Sequence, residues 1–342
     1  MKSKASAHLS EIGAMRAILI LSIVVGHTFA IYGIEGSQTW HLPKQYEGID
    51  FLWWVNPAFI SFSLQAFVFI SGYLMRMSTV GRQIDKRKFL KKKVKRLFVP
   101  LVVFGLLYWL IIDSKTFISC YDCLNYFLSG AGHLWFLTML LMCFIAMSLS
   151  LELQNWVLVS NSRKIVMSVV LVALYFYSMF APSDFRLAQF CAYFIYFVLG
   201  YWTFDYRENL KNVKWQLVLL MCLLTVVGIS LKLYLVWERP NHYYVLNSMN
   251  DLLLGIAGSY SMLMLCLKCR EGLYLNEIGL WNGFFGVYIF HQFILRFLYY
   301  KTDLLIGVNR CCVGLISLLL TLFLSYILSE IFLRYKITRN LI

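Results

Sequence analysis

The chain has 342 residues, of which 60% are hydrophobic and 14% charged, with a formal net charge of +14 and a mean hydropathy of +0.69. So apolar a composition excludes a water-soluble globular protein, and continuous blocks of Leu, Ile, Val and Phe exclude a membrane β-barrel, whose strands alternate apolar and polar residues. The expected fold is all-α: a polytopic bundle of about ten transmembrane helices, each needing roughly 17–25 apolar residues to cross the hydrocarbon.

In chain order the apolar blocks are 12–33, 51–77, 97–113, 132–152, 164–181, 187–204, 214–237, 249–268, 280–300 and 304–333. The first follows Lys2 and Lys4, as a signal peptide would. It is longer than the usual signal core and carries Arg16 and His27, so it reads as a retained span. An ionisable residue in hydrocarbon costs several kcal/mol to desolvate and is a functional candidate by default. The eleven-residue separation of Arg16 and His27 is about three helical turns, which sets both on one face, about 16 Å apart along the axis. They cannot bond to each other, so whatever uses both is long and threaded through the membrane, or each does a separate job.

With a cytoplasmic amino terminus, about 22 Lys and Arg fall in the inner loops and tails and about 6 in the outer loops. That bias places both termini in the cytoplasm and makes the positive charge a matter of topology, with no nucleic acid implied. No linker, soluble module or internal repeat interrupts the spans, so residues 1–342 are expected to form a single membrane domain. The nine cysteines read mostly as small apolar residues within spans. Cys120 and Cys123, in an outer loop, are a candidate disulfide if that side is oxidising, and no spacing suggests a metal site.

The loop after the second block carries Arg76, Arg82, Lys86, Arg87, Lys88, Lys91, Lys92, Lys93, Lys95 and Arg96, with Asp85 the one acid among them. Anionic lipid headgroups are one partner for such charge, each cation contributing about 1 kcal/mol; a nucleotide phosphate is the other. Lys93 and Arg96 share a helical face at the mouth of the bundle, where a phosphate can be held. On the outer side, His133 and Trp135 open the fourth block. Trp53, Trp54, Asn56, His242, Tyr243, Tyr244, Asn247, Asn250 and Asp251 add aromatic faces beside amides, which suit a sugar. His291 lies mid-span, where a helix-to-helix hydrogen bond is the plain reading, and Ser71-Gly72 reads first as a close-packing site.

Six blocks, taken in order, resemble the membrane acyltransferase family called acyltransferase 3. They are Arg16-x10-His27; Phe69-Ile70-Ser71-Gly72-Tyr73-Leu74; Phe89-x3-Lys93-x2-Arg96-x3-Pro100; His133-Leu134-Trp135-Phe136-Leu137; Phe197-Val198-Leu199-Gly200-Tyr201; and Val287-Tyr288-Ile289-Phe290-His291. The resemblance implies an acyl-coenzyme A donor, acetyl-coenzyme A in most members, taken from the cytoplasm. It also implies O-acylation of a glycan or lipid-linked sugar at the outer face of a bacterial inner membrane. It maps function onto Arg16 and His27 as catalytic residues, and onto Lys93, Arg96, Arg16 and Ser71 for the donor. His133, Trp135, Asp251 and His291 are the candidate acceptor contacts. One departure stands out: the first basic position after Phe89 is usually Arg, and Lys93 cannot form a bidentate fork to phosphate. The soluble hydrolase-like domain fused to some members is not expected here.

The mechanism this suggests has the donor's nucleotide on the basic rim and its thioester near His27, which acts as general base on an acceptor hydroxyl; Asp251 is a candidate to orient the ring. A covalent acyl-His27 intermediate is equally compatible. The competing reading is a flippase or proton-coupled transporter with Arg16, His27, His133, His291 and Asp251 along its path. Few in-span acids and no repeated halves speak against it.

Overall fold

A computed structural model describes residues 10–33, 51–81, 85–113, 116–269, 283–302 and 304–335, and among these there are helices and no strands. In chain order the helices are α1 (Ser10–Phe29), α2 (Val55–Ile60), α3 (Ser63–Thr79), α4 (Lys86–Tyr108), α5 (Cys120–Leu128), α6 (Trp135–Leu149), α7 (Leu151–Leu158), α8 (Asn161–Tyr177), α9 (Leu187–Thr203), α10 (Arg207–Lys211), α11 (Trp215–Glu238), α12 (Tyr243–Lys268), α13 (Phe284–Tyr300) and α14 (Arg310–Arg334).

Helices stand at all ten expected blocks, and among the described residues eight stretches are long and apolar enough to cross a membrane. The two that fall short are α8 and α13, each of 17 residues, about 25 Å against a hydrocarbon core of about 30 Å. The second block is two helices: the chain turns at Ser61 and Phe62 between α2 and α3, and Ser63 Oγ returns to the Phe59 carbonyl at 2.5 Å. Helix α4 starts where Asp85 accepts from the backbone N–H groups of Arg87 (3.0 Å) and Lys88 (3.1 Å), a side-chain cap for otherwise orphaned donors. Lipid-facing surfaces are plain on α8 and α11, where Ile165, Val166, Val169, Leu219 and Leu223 are exposed.

The chain packs as two compact units, one of Met1–Phe67 with Arg207–Leu333 and one of Val68–Tyr206 with Arg334–Ile342. In the first unit α1 packs on α2, α12 and α13, while α11 lies on α12 and α2. A Cβ at Gly26 would collide with Ile60, and Asn56 Nδ2 donates to the Gly26 carbonyl at 2.7 Å, so α1 and α2 touch backbone to side chain. Asn250 likewise donates to the Gly228 carbonyl of α11 at 3.0 Å. Lys232 of α11 reaches both carboxylate oxygens of Asp251 on α12, at 3.0 and 2.9 Å, with Asn247 on the second oxygen at 3.0 Å. In the second unit α4 packs on α6, and α9 on both α6 and α8. There α3 and α9 cross at two glycines: a Cβ on Gly72 would strike the Phe197 carbonyl, and one on Gly200 the Phe69 carbonyl. Two of the six sequence blocks therefore meet through bare backbone, the close approach that small residues permit between membrane helices.

The cysteines are all free thiols. Cys143, Cys191 and Cys266 are buried, but Cys120, Cys269, Cys311 and Cys312 are exposed, so core packing explains fewer of them than expected.

Substituting Val at Gly72 or Gly200 is expected to remove the folded protein from the membrane, read as loss of the monodisperse peak on size-exclusion chromatography. Gly105→Ala, whose Cβ would sit 3.7 Å from the Phe127 ring, is expected to be tolerated. Lys232→Met alone takes the cation away from the Asp251 carboxylate and is expected to lower Tm by about 4 °C; adding Asp251→Asn is expected to restore most of it.

Candidate active site

Helix α1 carries both Arg16 and His27, and its other residues pack it into the first unit: Met15, Leu19, Ile20, Ile23 and Val24 are buried, while Ile18 and Leu21 face outward. His27 sits at the last turn, next to Thr28, whose hydroxyl folds back onto the Val24 carbonyl at 2.8 Å. Helix α13 supplies the partner. His27 Nδ1 lies 2.9 Å from His291 Nε2, and the two rings stack at 5.2 Å between centroids with 13° between planes.

The direction of this contact follows from its far end. His291 Nδ1 is 2.6 Å from the Tyr288 carbonyl, and a carbonyl can only accept, so Nδ1 of His291 carries a proton. In a neutral ring the lone pair is then on Nε2, which accepts, and His27 Nδ1 must be the donor. The remaining lone pair of His27 is on Nε2. His291 is fully buried, so a second proton on it would be a charge out of water. Arg296, five residues beyond His291 on α13, is within electrostatic reach of His27 and was not singled out by the sequence reading.

The other expected site residues divide between the units. Arg16, Asp251 and His291 share the first unit with His27, but Asp251 is bound by Lys232 and Asn247, and the ring nitrogen an orienting carboxylate would hold is bonded to His291. Of the outer aromatic and amide group, Asn56 and Asn250 bond backbone carbonyls and Trp53 packs on Trp237 at 4.9 Å, so these residues tie helices together.

Ser71, Lys93, Arg96, His133 and Trp135 are in the second unit. Ser71 is buried beside the glycine crossing. Lys93 holds its ammonium 4.6 Å from the centre of the Phe144 ring and 5.4 Å from that of Phe89, a cation over two aromatic faces. Arg96 is exposed one turn further on. Pro100 has no N–H to offer the Arg96 carbonyl, which loosens the helix there. Two cations of the same basic run are committed elsewhere. Arg76 forks onto Asp205 at 2.9 and 2.8 Å and also reaches Asn155 and Tyr201. Lys86 pairs with Glu152 at 2.5 Å and holds that carboxyl below its ordinary range. Arg87, Lys88, Lys91, Lys92, Lys95 and Arg96 stay exposed. His133 is buried, its ring edge-to-face with Tyr108 at 6.0 Å.

The chemistry available is therefore a neutral imidazole with a defined basic nitrogen in one unit and a cationic helix in the other. No curated protein and no solved structure matches the chain. Residues 9–330, nearly its whole length, match the acyltransferase domain of one family model. A membrane bundle whose residues match that domain almost from end to end is an acyltransferase, and the chain belongs to the acyltransferase 3 family.

Proposed function

We propose that this chain transfers an acyl group, acetyl in the simplest case, from a cytoplasmic coenzyme A thioester to a hydroxyl of a glycan or lipid-linked sugar outside a bacterial inner membrane. His27 is the general base. The observation that carries the reading is the orientation of the two imidazoles, which leaves the lone pair of His27 on Nε2. In the reaction Nε2 takes the proton of the acceptor hydroxyl as its oxygen attacks the thioester carbonyl. The carbon–sulfur bond breaks, the thiolate leaves, and the imidazolium returns the proton to sulfur. His291 stabilises the imidazolium by accepting from Nδ1 throughout. Such a base contributes roughly 10²–10⁴-fold.

The donor's phosphates fall to Lys93 and Arg96, supported by the exposure of Arg96 and by the cluster of cations around it. Lys93 acts as a point charge over aromatic faces and Arg96 supplies the fork. Arg16 lies about 16 Å below His27 along α1, a suitable depth for the amide groups of an extended pantetheine arm. Anionic lipids are a further partner of the same basic run.

His27→Ala is expected to lower acyl transfer by roughly 10²-fold or more with unchanged membrane abundance, measured as thiol release from acetyl-coenzyme A in the presence of acceptor. Normal release by this variant removes His27 from the mechanism. Radiolabelled donor without acceptor is expected to leave no adduct on the protein; a label on His27 replaces the general base with a covalent intermediate.

Replacing Lys93 and Arg96 by Gln is expected to raise KM for acetyl-coenzyme A about tenfold and to leave KM for acetyl-pantetheine, which lacks the nucleotide phosphates, unchanged. An equal rise for both donors contradicts the assignment of these residues to phosphate.

A further inference from the structure

At the end of α4 opposite its basic segment, the second unit contains a cleft of about 350 Å³ between the segment around α5 and the turn that precedes α9. Its walls include Asp122, Asn125, Tyr126, Ser129, Asp184 and Arg186. Sites for small molecules span roughly 300–1,000 Å³ and place a few polar groups against a shaped wall.

The cleft is held in shape by bonds and by backbone that would not otherwise adopt it. Asn125 joins the two walls: its Nδ2 donates to Asp184 at 3.0 Å, and its Oδ1 accepts from the Phe185 backbone at 3.1 Å and from Ser129 Oγ at 2.7 Å. Arg186 Nε donates to the Ser129 carbonyl at 2.9 Å, and its guanidinium lies over the Trp135 ring at 5.9 Å. Phe185 and Arg186 both have positive φ, 49° and 63°, and Gly130 and Gly132 on the opposite wall have φ of 83° and 56°. Consecutive non-glycine residues in the left-handed region cost of order 1 kcal/mol or more each and persist where the surroundings enforce them, most often at functional sites.

The chemistry of the lining selects its ligand. Asp122 and Asp184 offer carboxylate oxygens to hydroxyl donors, Asn125 and Ser129 lie between them, and Tyr126 gives an aromatic wall with its hydroxyl fixed on Asp113 at 2.6 Å. Two carboxylates against one guanidinium that is already bonded leave the cleft net negative, so an anionic ligand is repelled. We propose that this cleft is an acceptor subsite that takes an uncharged sugar ring. The proposal rests on the acyltransferase reading for the word acceptor, but the binding itself does not need the donor. The cleft ends at Ala131 and Gly132, just before His133 and Trp135 in the chain, and a Cβ on Gly132 would meet the Tyr108 ring against which His133 packs.

The test uses the full chain in lipid nanodiscs without donor. The probes are methyl glucoside, galactoside, mannoside and N-acetylglucosaminide, with methyl glucuronide and galacturonide as their charged counterparts. Saturation-transfer NMR is expected to show contact with at least one neutral glycoside and none with the uronates. Ser183→Trp, which fills the mouth from an exposed position, is expected to abolish the contact, and the isosteric Asp184→Asn to weaken binding about tenfold. Silence from every neutral glycoside, equal response to the uronates, or contact that survives both substitutions overturns the proposal. Because no acyl transfer is measured, absence of sugar contact leaves His27 untouched, and a fully active His27→Ala leaves the cleft untouched.

Discussion

A hydrogen bond between two neutral imidazoles has no direction of its own; the Tyr288 carbonyl gives this one a direction. By requiring a proton on Nδ1 of His291, that carbonyl decides, across two rings, which nitrogen of His27 is basic. Water would erase such an ordering by offering donors and acceptors to every nitrogen. Within the first unit, with His291 fully buried and α1 packed on α2, α12 and α13, the ordering persists. The fold thus does for His27 what a carboxylate does in many hydrolytic sites: it fixes the tautomer, and in the proposed mechanism it also supports the charge that forms on proton transfer. It does so with a neutral ring in the place of that carboxylate.

The same economy governs the other ionisable residues. Asp251 lies beside a cation from the neighbouring helix, and Arg76 beside Asp205, so each of these charges meets its opposite. The basic segment of α4 is the contrast, because seven of its cations are exposed, and of these Lys86 pairs with Glu152 and Lys88 with Asp85. Charge that is paired holds helices together, and charge that is exposed remains available to phosphate, whether of a nucleotide or of a lipid headgroup.

The bundle was legible in the sequence because hydrocarbon imposes a length and an apolar composition on any segment that crosses it, and ten blocks carry that mark. The division of the second block at Ser61 was not, since the break depends on Ser hydroxyls bonding carbonyls one turn back. Arg16 and His27 stood out because polarity in an apolar run is visible locally. Their surroundings did not. His291 is 264 residues from His27 in the chain, and nothing short of the packed helices says that the two rings meet. Asp251 looked like the orienting partner for want of another acid, and Lys232, a span residue of opposite sign, was the missing clue. The cleft beside α5 was hidden for a different reason: Phe185 and Arg186 are not residues that announce a left-handed turn.

The central claim concerns a single proton, and ¹⁵N NMR of histidine-labelled protein in lipid bilayers observes it directly. The account predicts that His27 at neutral pH is the neutral tautomer with its hydrogen on Nδ1 and none on Nε2. A signal from His27 with hydrogen on Nε2, or on both nitrogens, contradicts it.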